Sequence, residues 1–484
     1  MLDLRSPELL RTKAYMNGSW VEVTNTFDVH NPATGQELAS VADLTVDDVR
    51  IAICAAHRAQ PMWAAKTGKE RAALLRRWHD LMVAHADDLA QILTAEMGKP
   101  LAEAKGEVLY GASFIEWFAE EAKRIYGDVI PGHQPDKRIV VLKQPVGVVG
   151  SITPWNFPNA MIARKVAPAL AVGCTFVARP SELTPLSALA MAELAHQAGI
   201  PAGVFNVVPS TAAAEVGEEF CSNEKIAKIT FTGSTRVGKI LMEQCASQVK
   251  KVSLELGGNA PFIVFDDADV DAAVEGALIA KFRNAGQTCV CANRIYAQAG
   301  IHDEFVRELS DRVREFTVGN GFQDVTSIGP LINKAAFRKV EAHISDAVAK
   351  GATVKVGGSP HALGGQFYEP TVVTGMTSDM LAASEETFGP VAPVFKFETE
   401  EQAAMQANDS EFGLAAYFYT QDLNRAWRMA EQLQTGMVGI NTGLISTEVA
   451  PFGGIKQSGL GREGSKYGTD DYVELKYMCF GGIQ

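Results

Sequence analysis

A cysteine in the segment Gly286-Gln287-Thr288-Cys289-Val290-Cys291 is the side chain of this protein best suited to covalent chemistry. The segment follows the apolar run 277–282, so Cys289 is expected just beyond a helix and beside small residues. A thiolate is the most nucleophilic side chain that a protein offers. A free cysteine is more often a small buried apolar residue, and the interpretation of Cys289 as a nucleophile therefore depends on the rest of the sequence.

Two other residues could complete a site around this thiol. Glu255 ends the apolar, strand-like segment 252–256, and burial there would raise the pKa of its carboxyl and make it a base near neutral pH. Asn156 belongs to the rigid aromatic loop 153–159, after a predicted strand, where its amide could hold an oxyanion. A solvent-exposed glutamate and a purely structural turn are the alternative interpretations.

A glycine-containing segment at 229–239 separates a predicted strand from a predicted helix. Free N–H groups and the helix dipole favour a phosphate at such a place. Gly233, Gly238 and Lys239 come close to a P-loop, but Ile240 stands where the magnesium-binding hydroxyl would be, which disfavours an ATPase or GTPase. The segment also lacks the Gly-x-Gly-x-x-Gly dinucleotide fingerprint, and a tight strand-helix turn stays open as an alternative.

Composition narrows the class of protein. The 484 residues are 47% hydrophobic, enough for about three domains of ordinary size. The net charge of −13 comes from scattered acidic residues and disfavours nucleic acid as a partner. Long uncharged apolar runs, signal or transit features and metal-ligand motifs are missing from the sequence, and isolated cysteines favour reduced thiols in a cytoplasmic protein.

The order of predicted elements indicates an α/β protein with two doubly wound domains. Strands and helices alternate over 146–254 and again over 261–441, a pattern typical of parallel sheets covered on both faces. Other predicted elements are small antiparallel strands within 14–43, helices over 45–65, 68–97 and 101–125, and strands over 138–144 and 472–478. The last two strands are candidates for edge pairing with another subunit.

Six motifs together resemble the NAD(P)-dependent aldehyde dehydrogenases. They are Pro-Trp-Asn-Phe-Pro (154–158), Phe-Thr-Gly-Ser-Thr (231–235), Leu-Glu-Leu-Gly-Gly (254–258), Gly-Gln-Thr-Cys (286–289), Glu-Glu-Thr-Phe-Gly-Pro (385–390) and Pro-Phe-Gly-Gly (451–454). They follow the order of that family over nearly the whole chain, and the separation of 34 residues (289 minus 255) between Glu255 and Cys289 is also similar.

The resemblance implies a division into three parts. The cofactor-binding domain would comprise 1–125 and 146–257, and the catalytic domain 258–457. The segments 126–145 and 458–484 would form a small β oligomerisation element, so that the protein would be a homodimer or homotetramer.

The resemblance also implies a reaction cycle. Cys289 would attack an aldehyde, and the oxyanion would be held by the Asn156 amide and the backbone N–H of Cys289. Hydride would pass to a nicotinamide and leave a thioester, which Glu255 would hydrolyse by activating water. Lys165 would support proton transfer; a solvated helix lysine is the alternative.

For the cofactor, the resemblance implies a set of binding residues in three regions. Glu182 would accept hydrogen bonds from the adenosine ribose and repel a 2′-phosphate, which favours NAD. Arg179 stands where lysine is usual in the family, and its guanidinium could bind that phosphate, which leaves NADP open. The implied residues are Trp155, Arg179, Ser181, Glu182, Gly233, Ser234, Gly238, Glu386 and Phe388.

Two longer segments, 282–294 and 449–468, resemble the succinate-semialdehyde branch of the family. In that branch Arg164, Arg283 and Ser446 would bind the distant carboxylate of a small ω-carboxylate aldehyde. Glutarate semialdehyde is one methylene longer, and a difference of about 1–3 kcal/mol is too small to distinguish the two from sequence. Surface helix cations are the alternative interpretation of the arginines.

A disulfide between Cys289 and Cys291 would make a reversible redox switch, as the resembling branch implies. The alternative for Cys291 is a packed small residue. Three other functions stay open at this stage: a coenzyme A-acylating dehydrogenase, a non-catalytic nucleotide-binding protein and a cysteine hydrolase. Glu255 argues against the first, because it favours transfer of the acyl group to water.

Overall fold

The structure is a computed structural model that describes residues 2–483. Its N-terminal part contains strands β1 (Ala14–Met16), β2 (Ser19–Val21), β3 (Thr26–His30) and β4 (Glu37–Ala42), and helices α1 (Val46–Ala64), α2 (Gly68–Ala84), α3 (Ala86–Met97) and α4 (Leu101–Glu121). The next part contains strands β5 (Asp128–Ile130), β6 (Arg138–Pro145), β7 (Val148–Ile152), β8 (Thr175–Arg179), β9 (Phe205–Val207), β10 (Ile226–Thr232) and β11 (Lys251–Glu255), and helices α5 (Ala160–Val172), α6 (Pro185–Gln197), α7 (Ala213–Ser222) and α8 (Thr235–Ala246).

The C-terminal half repeats the alternation. Its strands are β12 (Ala260–Val264), β13 (Ala292–Gln298), β14 (Thr353–Val356), β15 (Thr371–Thr374), β16 (Val391–Phe397), β17 (Phe412–Gly413), β18 (Ala415–Tyr419), β19 (Met437–Ile440), β20 (Ile455–Lys456), β21 (Gly459–Leu460) and β22 (Val473–Phe480). Its helices are α9 (Val270–Phe282), α10 (His302–Arg314), α11 (Lys334–Ala349), α12 (Leu381–Ser384), α13 (Glu400–Asn408) and α14 (Leu423–Gln432).

The first sheet has the strand order β2-β1-β9-β8-β7-β10-β11-β21. Its five inner strands are parallel, and β1, β2 and β21 add antiparallel edges. The chain builds outward from β7 to β9 on one side and then returns to place β10 on the other side. Ligands bind at the carboxyl ends of strands where the order reverses in this way.

The second sheet has the order β14-β15-β16-β13-β12-β18-β19 and is parallel except for β14. The inner strands of both sheets, such as β8 and β18, are buried at every residue, as expected when helices cover both faces. Helix α5 is buried along all 13 residues, because α2 and α4 pack against it from the side away from the sheet.

A third sheet has the order β22-β6-β5 and is antiparallel. The predicted strands 138–144 and 472–478 therefore pair with each other within one chain, over the register Arg138↔Phe480 to Pro145↔Val473. Pairing of this sheet with another subunit stays a prediction, as do the three domain boundaries. No helix within residues 2–483 is both long and apolar enough to cross a membrane.

Several predicted elements were wrong in detail. The helix predicted over 68–97 is two helices, because His85 leaves the helical conformation at φ −104° and ψ 18°. The sequence also predicts a helix over 270–284, but α9 ends at Phe282. Strand β15 and helix α13 were not predicted.

Candidate active site

The predicted nucleophile lies beyond a tight turn that follows α9. Asn284, Ala285 and Gly286 have φ values of 54°, 54° and 73°, a left-handed conformation that costs a non-glycine residue about 1–2 kcal/mol. At Gly286 a β-carbon would overlap the carbonyl oxygen of Gly389, so this position requires glycine. The turn reverses the chain and places Cys289 at the wall of two cavities.

The two cavities differ in size and lining. One has a volume of about 290 Å³ and is lined by Arg164, Arg283 and Ser446 among others. The other has a volume of about 780 Å³ and lies at the carboxyl ends of β7 and β10. Cys289 and Met161 line both, so a bound molecule in either cavity can reach the thiol.

Burial, followed by the charges of Glu255 and Glu386, raises the pKa of the Cys289 thiol to about 12. The guanidinium groups of Arg164 and Arg283 act in the opposite direction but do not compensate. The thiol is therefore protonated at neutral pH, and a neighbouring base must take its proton before it can attack.

Glu255 has the properties of such a base. It ends β11, where it pairs with Thr232 of β10 and with Gly459 of β21, and it is only 3% exposed. Burial, followed by the charge of Glu463, raises the pKa of the Glu255 carboxyl well above its ordinary value. Its Oε2 atom is buried without a hydrogen-bond partner among residues 2–483, and Glu255 is not among the residues lining either cavity.

Asn156 lies in the loop between β7 and α5 and is buried. Its Nδ2 atom donates to the backbone carbonyl of Gln287 at 2.9 Å, two residues before Cys289. One N–H of the amide is thus fixed to the cysteine loop, and the second remains available as a donor. Asn156 and Cys289 line the same larger cavity.

Lys165, which was predicted to support proton transfer, is completely buried on α5. Its ammonium group is ion-paired with Glu463, as is the guanidinium of the preceding residue Arg164. Arg164 also lies 3.9 Å from the ring centroid of Phe452. Arg164 reaches the smaller cavity, whereas Lys165 is not among the residues lining either cavity.

The three predicted carboxylate-binding residues converge. Arg164, Arg283 and Ser446 line the smaller cavity together with Cys289. Arg283 forms no ion pair among residues 2–483, and its guanidinium lies 5.5 Å from the ring centroid of Phe157. An arginine without an ion-pair partner, such as Arg283, and the hydroxyl of Ser446 in the same cavity suit a bound carboxylate.

Five of the predicted cofactor residues line the larger cavity; they are Trp155, Gly233, Ser234, Glu386 and Phe388. The rings of Trp155 and Phe388 meet edge to face with centroids 5.6 Å apart. Glu386 accepts a hydrogen bond from the backbone N–H of Gly258 at 3.2 Å, and burial raises the pKa of its carboxyl to about 7. These aromatic, acidic and glycine groups at a strand-order reversal fit a dinucleotide.

Other predicted cofactor residues lie outside that lining. Gly238 allows close packing of α8 on the strand end, because a β-carbon there would overlap the Leu256 side chain. Arg179 donates to Glu182 at 2.8 Å and to the Ser210 carbonyl at 2.7 Å. Glu182, which was expected to favour NAD, and Arg179, which replaces the usual lysine of the family, are therefore paired with each other. Ser181 accepts from the Leu183 N–H through its hydroxyl.

Cys291 is 1% exposed and lines neither cavity. Its thiol donates to the carbonyl of Lys281 at 3.2 Å. A disulfide with Cys289 would have to break that hydrogen bond, and both thiols are free in this structure. The redox switch stays a prediction.

The sequence did not identify several residues that line the two cavities or pair with residues that do. Glu463 was passed over because it lies in a Gly- and Ser-rich segment without a charge pattern. Arg236 and Lys339 line the larger cavity, but each looks like an ordinary helix cation. Lys99 and Glu107 line the smaller cavity and come from the helical region far from the six motifs.

The profile of the aldehyde dehydrogenase family matches residues 20–478. The chain belongs to the aldehyde dehydrogenase family. It is 61% identical over 484 residues to a glutarate-semialdehyde dehydrogenase of Pseudomonas aeruginosa, with all of both chains covered. It is 60% identical over 482 residues to the NADP(+) succinate-semialdehyde dehydrogenase of Escherichia coli, covering 99% of this chain and 100% of that one.

Solved structures of aldehyde dehydrogenases have the same fold. An aldehyde dehydrogenase from Brucella melitensis superposes with a TM-score of 0.98 at 59% identity, with all of both chains covered. The predicted α/β fold of this aldehyde dehydrogenase, its membership of the family and its class as an oxidoreductase are confirmed. A non-catalytic nucleotide-binding protein and a cysteine hydrolase are no longer supported as alternatives.

Proposed function

We propose that this aldehyde dehydrogenase oxidises succinate semialdehyde to succinate with NAD(P)+ through a thioester on Cys289. The observation that carries the proposal is the convergence of Arg164, Arg283 and Ser446 on the small cavity that Cys289 lines. A volume of about 290 Å³ suits a short substrate, with an aldehyde at the cysteine and a carboxylate at the arginines.

The geometry supports a defined order of events. The Cys289 thiol, which burial holds in the neutral form, first gives its proton to the Glu255 carboxylate, which passes it to solvent before the hydrolysis step. Its sulfur then bonds to the aldehyde carbon, while the free N–H of the Asn156 amide and the backbone N–H of Cys289 stabilise the oxyanion. A bound nicotinamide supplies the hydride acceptor. Glu255 removes a proton from water, which adds to the thioester and releases the acid and the thiol.

The two arginines are not equivalent in this proposal. The charge of Arg164 is already compensated by Glu463 and by the face of Phe452, so it shapes the pocket more than it attracts an anion. Arg283 forms no ion pair among residues 2–483, so its charge is available to attract an anion. Glu103 also lines the cavity, but its carboxylate accepts from the backbone N–H of Asn284 at 2.8 Å.

Glutarate semialdehyde is the second candidate substrate. Relatives from Pseudomonas aeruginosa and Pseudomonas putida with that activity in their names are 61% and 59% identical to this chain. A 3-sulfolactaldehyde dehydrogenase of Pseudomonas putida is 57% identical, and a sulfonate is another anion that arginine can hold. All three substrates share a short chain and a distant anionic group.

A steady-state panel tests the substrate proposal. It compares succinate semialdehyde, glutarate semialdehyde and butanal, in wild type and in Arg283→Met. We expect kcat/KM for the ω-acids to exceed that for butanal, and Arg283→Met to lower it about 10- to 100-fold while butanal is unaffected. Equal turnover of butanal and the ω-acids by the wild type would rule out the carboxylate-binding role of Arg283.

We also propose that the protein uses either NAD or NADP. Arg179 and Glu182 form an ion pair beside the predicted adenosine site. The Glu182 carboxylate suits ribose hydroxyls, and the Arg179 guanidinium suits a 2′-phosphate. Comparing kcat/KM for the two cofactors in wild type and in Glu182→Gln tests this. Removal of the carboxylate should shift the ratio towards NADP, and an unchanged ratio would place the adenosine elsewhere.

One further proposal concerns the protein as a whole. We infer a cytoplasmic homo-oligomer, supported by the exposed apolar residues of the third sheet and by the seven cysteines, all of which are unpaired.

A last proposal concerns the acceptor of the acyl group. We propose transfer to water rather than to coenzyme A, because a buried carboxylate base such as Glu255 favours water. Formation of the acid without coenzyme A tests this point.

A further inference from the structure

A buried lysine behind the predicted oxyanion site holds the backbone of Asn156. Lys99 is 2% exposed and lies in the break between α3 and α4. Its Nζ atom is 2.6 Å from Glu107 Oε2 and 2.7 Å from the backbone carbonyl of Asn156. The ring centroid of Phe157 lies 3.8 Å from the same atom. All three N–H directions of the ammonium group are therefore used on the helix α4 carboxylate and the Asn156 loop.

The carboxylate of Glu107 holds the other end of the same loop. Its Oε1 atom accepts from the backbone N–H groups of Asn159 and Ala160 at 3.0 and 3.2 Å, which are the first donors of α5. Helix α5 carries Arg164 and Lys165. The Lys99–Glu107 pair thus grips the loop from the carbonyl of Asn156 to the start of α5.

The opposite side of Asn156 is tied to the cysteine loop. The carbonyl of Asn156 also accepts from Asn284 Nδ2 at 3.0 Å, and the Asn156 amide donates to Gln287. The backbone carbonyl is thus held from both sides and the amide by Gln287, so the backbone and the side chain of Asn156 are both restrained.

We propose that Lys99, through its pair with Glu107, is a positioning residue that fixes the Asn156 amide where the oxyanion forms. The proposal rests on the thioester mechanism given above. Lys99 does not touch the reacting atoms; it acts through the Asn156 backbone. Its loss should therefore slow thioester formation and hydride transfer more than it weakens substrate binding, because misplacement of an oxyanion donor acts on the transition state.

The test uses the full-length enzyme with saturating cofactor. The first variant is Lys99→Met. The second is Lys99→Met/Glu107→Gln, in which no unpaired charge is buried and the glutamine carbonyl can still accept from the start of α5. Glu96→Gln is the matched control, since Glu96 is an equally buried carboxylate that accepts from the Leu186 and Ser187 N–H groups at the start of α6.

Both test variants should lose about 10- to 100-fold in kcat and in the single-turnover rate of cofactor reduction, with KM for the aldehyde changed less than about threefold. The rate at which iodoacetamide alkylates Cys289 should stay at the wild-type value, which a general collapse of the site would alter. Lys99→Arg should recover part of kcat, and Glu96→Gln should keep wild-type kcat.

Wild-type kcat in the double variant would overturn the role of Lys99 and leave the proposed function standing. A rise in KM with kcat unchanged would also overturn it, because that pattern belongs to substrate binding. If the wild-type enzyme itself reduced no cofactor with any semialdehyde, the proposed function would fall and this inference with it.

Discussion

Three side chains from distant parts of the sequence would carry out the proposed chemistry, and two of them, Asn156 and Cys289, line the same cavity. Asn156 is hydrogen-bonded to the cysteine loop, and the Glu255 carboxyl acts on the pKa of Cys289. The residue types, together with the resemblance to the aldehyde dehydrogenases, were enough to predict roles for these three. They could not select Glu463 or Lys99, because a buried charge acquires its partner from tertiary packing, which leaves no local pattern in the sequence.

Replacement of Glu255 separates the two halves of the reaction. In Glu255→Gln, the thioester should form more slowly, because the protonated Cys289 thiol has lost a neighbouring base, and it should hydrolyse at least about a hundredfold more slowly, because the amide cannot take a proton from water. Stopped-flow measurement of cofactor reduction should give a burst of about one equivalent per active site, followed by slow turnover. Cys289→Ala should give no burst, and wild-type turnover in Glu255→Gln would assign the base elsewhere.

The raised pKa of Cys289 predicts the pH dependence of its modification. A thiol with a pKa of about 12 is mostly protonated throughout the neutral range, and its thiolate fraction increases about tenfold per pH unit until the pKa is reached. Alkylation of Cys289 by iodoacetamide in the cofactor-free protein, followed by peptide mass spectrometry, should therefore accelerate from about pH 7 to pH 10 without a plateau. A plateau below pH 9 would mean a lower pKa.

At the scale of elements, prediction was best where glycine or proline separates apolar segments. The sequence predicts helices over 160–172 and 235–246, and α5 and α8 have these bounds, because Gly173 follows the end of the first and Ser234 precedes the start of the second. Strand β15 was missed because it is four residues long. Helix α13 was missed because its apolar residues are nearly all alanine, which gives little amphipathic signal. The left-handed turn after α9 was missed because Asn284 and Ala285 adopt it through tertiary contacts.

The left-handed turn after α9 gives a prediction in which Gly35 serves as the control for Gly286. Gly35 and Gly286 have φ values of 71° and 73°, but a β-carbon at Gly35 would meet nothing within 4 Å, whereas at Gly286 it would overlap the Gly389 carbonyl. Gly35→Ala should cost about 1 kcal/mol of stability from backbone conformation alone. Gly286→Ala should lower the thermal midpoint several times as much and remove most activity. Equal shifts in differential scanning calorimetry would show that the overlap relaxes without cost.

The molecule as a whole joins two α/β sheets and a third, small sheet that has little core of its own. Val129, Leu475 and Tyr477 of that sheet are 82%, 69% and 60% exposed, an apolar surface that favours association. The sequence predicted both large sheets from their alternating elements. It could not predict that β6 and β22 pair within one chain, since strands more than 300 residues apart leave no local sign of their register.

Self-association through this sheet is testable by sedimentation. Leu475→Lys/Tyr477→Lys should shift the protein towards monomer in analytical ultracentrifugation, because two cations would have to be desolvated in the interface. Leu423→Lys is a control, since Leu423 is 81% exposed on α14, outside the third sheet. An unchanged sedimentation coefficient in the double variant would mean that subunits meet through another surface.

The cysteine at the wall between two cavities has a consequence for the timing of catalysis. The larger and the smaller cavity share only Cys289 and Met161 in their linings. Under the proposed mechanism, a dinucleotide in the larger cavity could therefore leave while an acyl group remained bonded to sulfur in the smaller one. The carbon skeleton would then keep its place throughout the reaction, and water could approach it from the larger cavity.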